Sequence, residues 1–185
     1  MAMRTRLVAA GLLLAIVASV PAFGQNREPR ADVFAGYSLL PADGNDFPRQ
    51  TSHGVQVSVS VNLNGWFGLV ADLGAQYRTV TDLGPGFRGV VAKTSVYEFV
   101  TGPRFTARQA AFDIFAHSLI GGATGHSGIR GFSDSALTFG FGGGVDVPLN
   151  RTAAIRAQVD YLGSFVDILE DNMRVGVGAT VSFGR

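Results

Sequence analysis

Gly54 to Arg78 reads GVQVSVSVNLNGWFGLVADLGAQYR, and this stretch decides the fold. From Val55 to Leu63 every odd position is valine or leucine, and every even position is a small or amide polar residue. Successive side chains of a strand point to opposite faces, so the segment has one apolar face and one polar face. Asn64-Gly65 follows. An Asn-Gly pair between two alternating runs is the strongest short hairpin signal, and it predicts a two-residue turn here. The alternation then resumes, with Phe67, Leu69, Ala71, Leu73, Ala75 and Tyr77 set against Gly68, Val70, Asp72, Gly74, Gln76 and Arg78. Each strand runs to about ten residues or more, the length of a tilted membrane-crossing strand rather than of a typical soluble one.

The same period extends to both ends of the chain. Besides the hairpin, it predicts strands over Asp32–Leu40, Thr94–Phe105, Ala111–Thr124, Ala136–Val147, Ala153–Leu162 and Asn172–Phe183. Loops rich in Gly, Pro, Asp and Asn fall at 41–53, 79–93, 125–135 and 163–171. Short turns fall at Thr106–Ala110 and Pro148–Thr152. Connections thus alternate long and short. In an up-and-down barrel this gathers the short turns at one rim and the long loops at the other, the arrangement of outer-membrane barrels. The fold expected is all-β: a closed, up-and-down, antiparallel, eight-stranded transmembrane β-barrel over residues 32–185.

Residues 1–24 read as a cleaved signal peptide. Arg4 and Arg6 form its positive start, Leu7 to Val20 its apolar stretch, and Ala22-Phe23-Gly24 its small-residue cleavage site. Cleavage is placed before Gln25, with cleavage after Ala22 the alternative. Residues 25–31 form a short polar lead. The whole chain has 185 residues, room for one domain, and no Cys, so no disulfide framework supports it after export. Formal net charge is +1 from 15 basic and 14 acidic residues. No concentrated basic patch suggests nucleic-acid binding. Mean hydropathy is +0.24, yet beyond the N-terminal segment no apolar run is long enough for a spanning helix.

Alternation alone does not say which face meets water, because a soluble lipocalin-like carrier alternates equally well. The export signal, the Gly- and Ser-rich polar face and the aromatics favour lipid on the apolar side. Tyr37, Tyr77, Tyr97 and Tyr161 share the apolar register near the long-loop ends of their strands. Trp66, Phe67, Phe105, Phe112 and Phe183 gather at the opposite ends. Amphipathic rings settle at headgroup level, so two girdles are expected around an aliphatic band. The enclosed face then carries Asp72, Glu98, Arg104, Asp113, His117, Asp146, Arg156, Asp160 and Arg174. Centring each hairpin on its turn sets Arg104 opposite Asp113, Arg156 near Asp146 and Asp160 across from Arg174. An interior of eight strands is only wide enough for side chains to fill it, so these groups are expected to plug the lumen rather than line a pore.

No catalytic, cofactor-binding or metal-ligating set is assigned. Metal spacings, phosphate loops and nucleophile elbows do not appear. His117-Ser118 and His126-Ser127 are the only His-Ser neighbours, and adjacent strand residues point to opposite faces, out of hydrogen-bond reach.

Several segments resemble the small eight-stranded outer-membrane β-barrel family of the OmpA, OmpX and opacity-protein type. They are Val33-Phe34-Ala35-Gly36-Tyr37-Ser38, Phe115-Ala116-His117, Gly140-Phe141-Gly142-Gly143-Gly144-Val145-Asp146, Arg156-Ala157-Gln158-Val159-Asp160-Tyr161 and the closing Val181-Ser182-Phe183-Gly184. The resemblance implies a Gram-negative outer membrane, contact with its lipid and lipopolysaccharide, insertion by the β-barrel assembly machinery, and a monomer. No counterpart of the peptidoglycan-binding domain of OmpA-type proteins is expected after the last strand. The function expected is non-enzymatic adhesion or surface contact through loops 41–53, 79–93, 125–135 and 163–171, with an external ligand or host surface as partner. A lipid-modifying barrel enzyme, a small porin-like channel and a soluble carrier are the alternatives.

Overall fold

The structure is a computed structural model that describes residues 30–40, 52–81, 91–127, 133–164 and 172–184. Eight strands make one closed barrel: β1 (Ala31–Leu40), β2 (Ser52–Asn62), β3 (Phe67–Thr81), β4 (Val91–Arg108), β5 (Asp113–Ser127), β6 (Ser133–Pro148), β7 (Ala153–Ser164) and β8 (Asn172–Phe183). Each strand pairs antiparallel with its chain neighbours, and β1 closes on β8 from Ala31↔Phe183 to Leu39↔Val175. Closure leaves no sheet edge in the hydrocarbon region, where an unpaired backbone group is costly. The strands are strongly staggered. A path of paired residues that starts at Leu39, near the long-connection rim, passes through Val175, Val159, Gly143, Ala116 and Phe105. It reaches Phe67 at the short-turn rim.

The faces follow the sequence period. Val55, Val57, Val59 and Val61 are exposed on β2, while Gln56, Ser58 and Ser60 between them are buried. The outward band continues with Leu69, Leu73, Phe99, Ile120, Phe141 and Val177. No helix among the described residues is long and apolar enough to cross a membrane, a statement that does not bear on strands.

The predicted two-residue turn at Asn64-Gly65 is corrected. Strand β2 ends at Asn62 and β3 begins at Phe67, so Leu63 to Trp66 all lie in the turn. A two-residue turn would set Leu63 against Trp66, joining an outward to an inward position. Directly opposed residues must share a face, and the observed register does this with Val61↔Leu69. Asn64 Oδ1 holds the turn by accepting from the backbone N–H of Trp66 at 3.0 Å and of Phe67 at 2.8 Å. Asn150 does the same between β6 and β7, accepting from Thr152 at 2.8 Å and Ala153 at 2.9 Å. Both turns open on Leu-Asn.

The strands also run further than the alternation suggested. Turn 106–110 is corrected to 109–112, because β4 continues to Arg108. Parts of the expected loops are strand: 52–53, 79–81, 91–93, 125–127, 133–135 and 163–164. Apolar alternation marks where a strand touches lipid; ladder hydrogen bonds continue beyond it. The remaining loop residues 41–51, 82–90, 128–132 and 165–171 lie outside the described residues, as do 1–29. Residue 31, placed in the polar lead, opens β1. In the β4–β5 ladder pairing skips Gly102 and Pro103, between Thr101↔Ile120 and Arg104↔His117. Proline has no N–H to give the facing strand.

Candidate functional site

Two regions carry chemistry: the lumen and the rim where the long connections emerge. All nine expected lumen residues are inward. Eight are buried, and Asp113 is half-buried at the short-turn rim.

The lower lumen is organised on Asp146. It faces Arg156 across the β6–β7 ladder. Arg156 donates Nε to Oδ1 and Nη2 to Oδ2, both at 2.7 Å, a two-point contact matched to the planar guanidinium. Arg104 reaches the same carboxylate from β4, donating Nη2 to Oδ2 at 3.1 Å, and gives Nη1 to Ser60 Oγ at 2.8 Å. The expected Arg104–Asp113 pairing is corrected. Because β4 extends to Arg108, Asp113 sits opposite Arg108, and Arg104 sits opposite His117. Both guanidinium groups also lie against the Phe115 ring, 4.0 Å from its centre for Arg104 and 4.6 Å for Arg156. The ring face is electron-rich, so it eases the approach of two like charges.

The upper lumen is organised on Arg174. The expected Asp160↔Arg174 pair is present in the β7–β8 ladder. Arg174 Nη2 donates to Asp160 Oδ2 at 2.7 Å, and Nη1 lies 2.9 Å from Asp72 Oδ1 and 3.2 Å from Glu98 Oε2. His117 Nε2 is 2.8 Å from Asp160 Oδ1, and Gln158 gives Nε2 to Asp160 Oδ2 at 3.0 Å. Gln56 donates to Asp72 Oδ2 at 2.6 Å. Buried charges persist only when paired and hydrogen-bonded, and this network meets that condition for Arg174. Glycine makes the room. A Cβ on Gly142 would run into the Asp160 carboxylate, and one on Gly144 would stand 2.8 Å from the Phe115 ring.

Sequence reasoning missed the inward aromatics Phe34 and Phe115 and the apolar group Val70, Val100 and Leu119. Their parity carried the signal, since each occupies an enclosed position on its strand. It also missed Asp32, which accepts from Ser182 Oγ at 2.7 Å and Asn62 Nδ2 at 3.0 Å where β8, β1 and β2 meet.

At the long-connection rim the outward tyrosines form a ring-lined band. Tyr37 is hydrogen-bonded to His53, Tyr77 meets Tyr97 edge-on at 6.4 Å, and Tyr97 meets His126 at 6.1 Å. Tyr161 stacks on Phe141 at 5.0 Å. The opposite rim has the second cluster, with Trp66 stacked on Phe105 at 5.9 Å and Phe67 against Phe105 at 5.4 Å. An aliphatic belt between two aromatic girdles, around a polar interior, is the solution a lipid-embedded barrel requires.

The model of the outer membrane protein beta-barrel domain family matches residues 10–183. The chain belongs to that family. It is an outer-membrane β-barrel of the small eight-stranded kind, with the Gram-negative outer membrane as its location. Comparison with curated proteins gives no match. Among solved structures it is similar to Ail, the attachment invasion locus protein of Yersinia pestis, in complex with the heparin analogue sucrose octasulfate. That likeness has a TM-score of 0.61 at 16% identity and covers 84% of this chain and 99% of Ail. Neisserial surface protein A is similar with a TM-score of 0.65 at 10% identity, covering 83% of this chain and 97% of the other. Ail in a phospholipid bilayer nanodisc gives 0.54 at 19% identity, covering 84% and 100%. At these identities the likeness is one of fold.

No group of three or more metal-ligating side chains occurs among the described residues. His117 and Ser118 lie on opposite faces, the histidine buried in the lumen and the serine exposed outside. That separation keeps the serine from using the imidazole as a base.

Proposed function

We propose that this barrel is a non-enzymatic surface-interaction protein: the closed sheet anchors it, and the long-connection rim, facing outward from the cell, makes the contacts. One observation carries the reading. Strands β3 to β6 continue past the tyrosine band, through Arg78↔Thr94 to Thr81↔Val91 and up to His126↔Ser133. Among the described residues, 78–81 pair only with β4 and 133–137 only with β5. A sheet raised above the membrane on a rigid barrel presents its connections to the medium, where recognition is commonly carried by loops on a scaffold. The Ail complex with a heparin analogue makes sulfated polysaccharide the first ligand to try.

The test is adherence of Gram-negative cells that export the full chain to heparin-coated and cell-matrix surfaces. A second strain has residues 82–90 replaced by a Gly-Ser linker of equal length. Reduced adherence with unchanged heat-modifiable gel mobility supports the reading. Equal adherence of both strains and of cells lacking the protein sinks it.

The same reading includes a lumen closed to solutes by the Asp146 and Arg174 networks, a signal peptide cleaved before Gln25, insertion by the β-barrel assembly machinery and a monomeric state. Planar bilayers with the refolded protein are expected to show no conductance steps. The mass of the mature chain reports the cleavage site.

A further inference from the structure

Five rings form one row on the outward face, each on its own strand from β1 to β5. Tyr37 is hydrogen-bonded to His53, and their ring centres are 6.0 Å apart. His53 is the ladder partner of Tyr77. Tyr77 meets Tyr97, and Tyr97 meets His126, both edge-on. All five residues are exposed. The chain has three histidines. His117 is buried in the lumen, and the other two both stand in this row. Toward the same rim on β6 and β8 the exposed outward residues are the apolar Leu137, Phe141 and Met173, with Tyr161 half-buried against Phe141. Hydrogen-bonding rings are thus gathered on one flank of the barrel. The row also climbs. Tyr37, Val55, Ala75, Tyr97 and Thr124 lie on one line of ladder partners, and His126 is two residues beyond Thr124 toward the rim. The stagger that takes paired residues down from β1 through β8 takes this line up from β1 to β5.

We propose that this row binds the phosphorylated sugar headgroup of an outer-leaflet glycolipid, an assignment that rests on the long-connection rim facing out of the cell. Rings that serve only as interfacial anchors have no reason to favour one flank. The one-sided placement, the climb and the two histidines suit a ligand that is wide, deep and rich in acceptors. A phospholipid headgroup carries one phosphate and occupies a shallow layer. A glucosamine disaccharide with a phosphate at each end is wider, and its sugars present oxygens at several depths. His53 and His126 stand three strand spacings apart, about 14 Å along the hydrogen-bonding direction, so that each faces one phosphate. With the Tyr37 hydroxyl donating to His53 Nδ1, Nε2 carries the ring hydrogen and is free to donate to a phosphate oxygen, a charge-assisted bond. Between the histidines, Tyr77 and Tyr97 offer flat faces to the sugar C–H groups and hydroxyls to the sugar oxygens.

The experiment uses the full mature chain in bilayer nanodiscs. Native mass spectrometry compares retention of lipid A, dephosphorylated lipid A and phosphatidylglycerol, and lipid A is expected to be retained in preference to both others. His53→Phe combined with His126→Phe keeps the rings and removes the donors. It is expected to weaken lipid A binding about tenfold or more, through the loss of two hydrogen bonds to charged groups. Phe141→Leu on the other flank is expected to leave binding unchanged. Heat-modifiable gel mobility reports whether each variant is folded, and if the double variant is not, the three-lipid comparison on the wild type decides. Equal retention of lipid A and phosphatidylglycerol, equal binding by wild type and double variant, or equal weakening by Phe141→Leu overturns the proposal. Orientation is read separately, in a chain that has no cysteine of its own. Gly86→Cys is expected to react with a membrane-impermeant maleimide in intact cells. Reaction only after permeabilisation rejects the outward rim and the site with it, whereas reaction in intact cells without a lipid A preference rejects the glycolipid site alone.

Discussion

Arg174 and Asp160 face each other across the β7–β8 ladder, both fully buried, with Nη2 2.7 Å from Oδ2. Arg174 is also the ion-pair partner of Asp72 and Glu98. Its removal takes the cation from three buried carboxylates and leaves Asp72 with Gln56, and Asp160 with His117 and Gln158. Arg174→Met is therefore expected to cost about 3–5 kcal/mol, the range for breaking a buried ion pair from one side. Urea unfolding in lipid vesicles measures it. A loss below about 1 kcal/mol would mean the carboxylates find other partners or water.

The outward valines of β2 make the opposite kind of prediction. Val59 is exposed to the lipid side and pairs with Val33 and Ala71. Val59→Arg places a charge in hydrocarbon and is expected to cost about 2–4 kcal/mol if near the midplane, less toward either interface. The same unfolding measurement in bilayers checks it, and no change would contradict lipid contact at this face.

Glycine at 142 is a spatial requirement. A Cβ there meets the Asp160 carboxylate and stands 2.6 Å from the Val159 carbonyl oxygen. Gly142→Ala is expected to destabilise by about 1–3 kcal/mol, as overpacking does. Gly125, with nothing within 4 Å of its Cβ position, is the control. Gly125→Ala should fall within about 0.5 kcal/mol of wild type. Parallel refolding yields and unfolding midpoints separate the two.

Asn64 and Asn150 hold their turns through side-chain oxygens that accept backbone N–H groups. Replacing either by Ala removes the acceptor oxygen and with it both backbone hydrogen bonds, at a cost of about 0.5–1.5 kcal/mol for each hydrogen bond lost. Asp at the same position keeps the acceptor and is expected to restore most of the stability. Equal loss in the Ala and Asp variants would show that the turn needs the amide nitrogen instead.

How far the sequence reached can be judged from the charge pairs. Asp146–Arg156 and Asp160–Arg174 were legible because the partners of each pair lie on strands adjacent in the chain, so centring one hairpin on its connection sets them opposite each other. Arg104 was not. Thr106, Ala107 and Arg108 read as turn by composition, yet they stay in β4, and the register moves with them. The true partner of Arg104, Asp146, lies two strands away across the lumen. The rim was legible as four outward tyrosines, but its height was not. Ladder bonds carry β3 to β6 beyond the point where side-chain alternation reports anything.

From the sequence alone came the eight crossing strands, the sidedness of nearly every residue and the membrane setting. These depend on a period of two, which is a local property of the extended chain. Only the tertiary structure decided the turn lengths, the strand ends and which buried charge meets which. Those contacts cross the barrel interior, and they depend on stagger, glycine gaps and side-chain reach, none of which is written in any single strand.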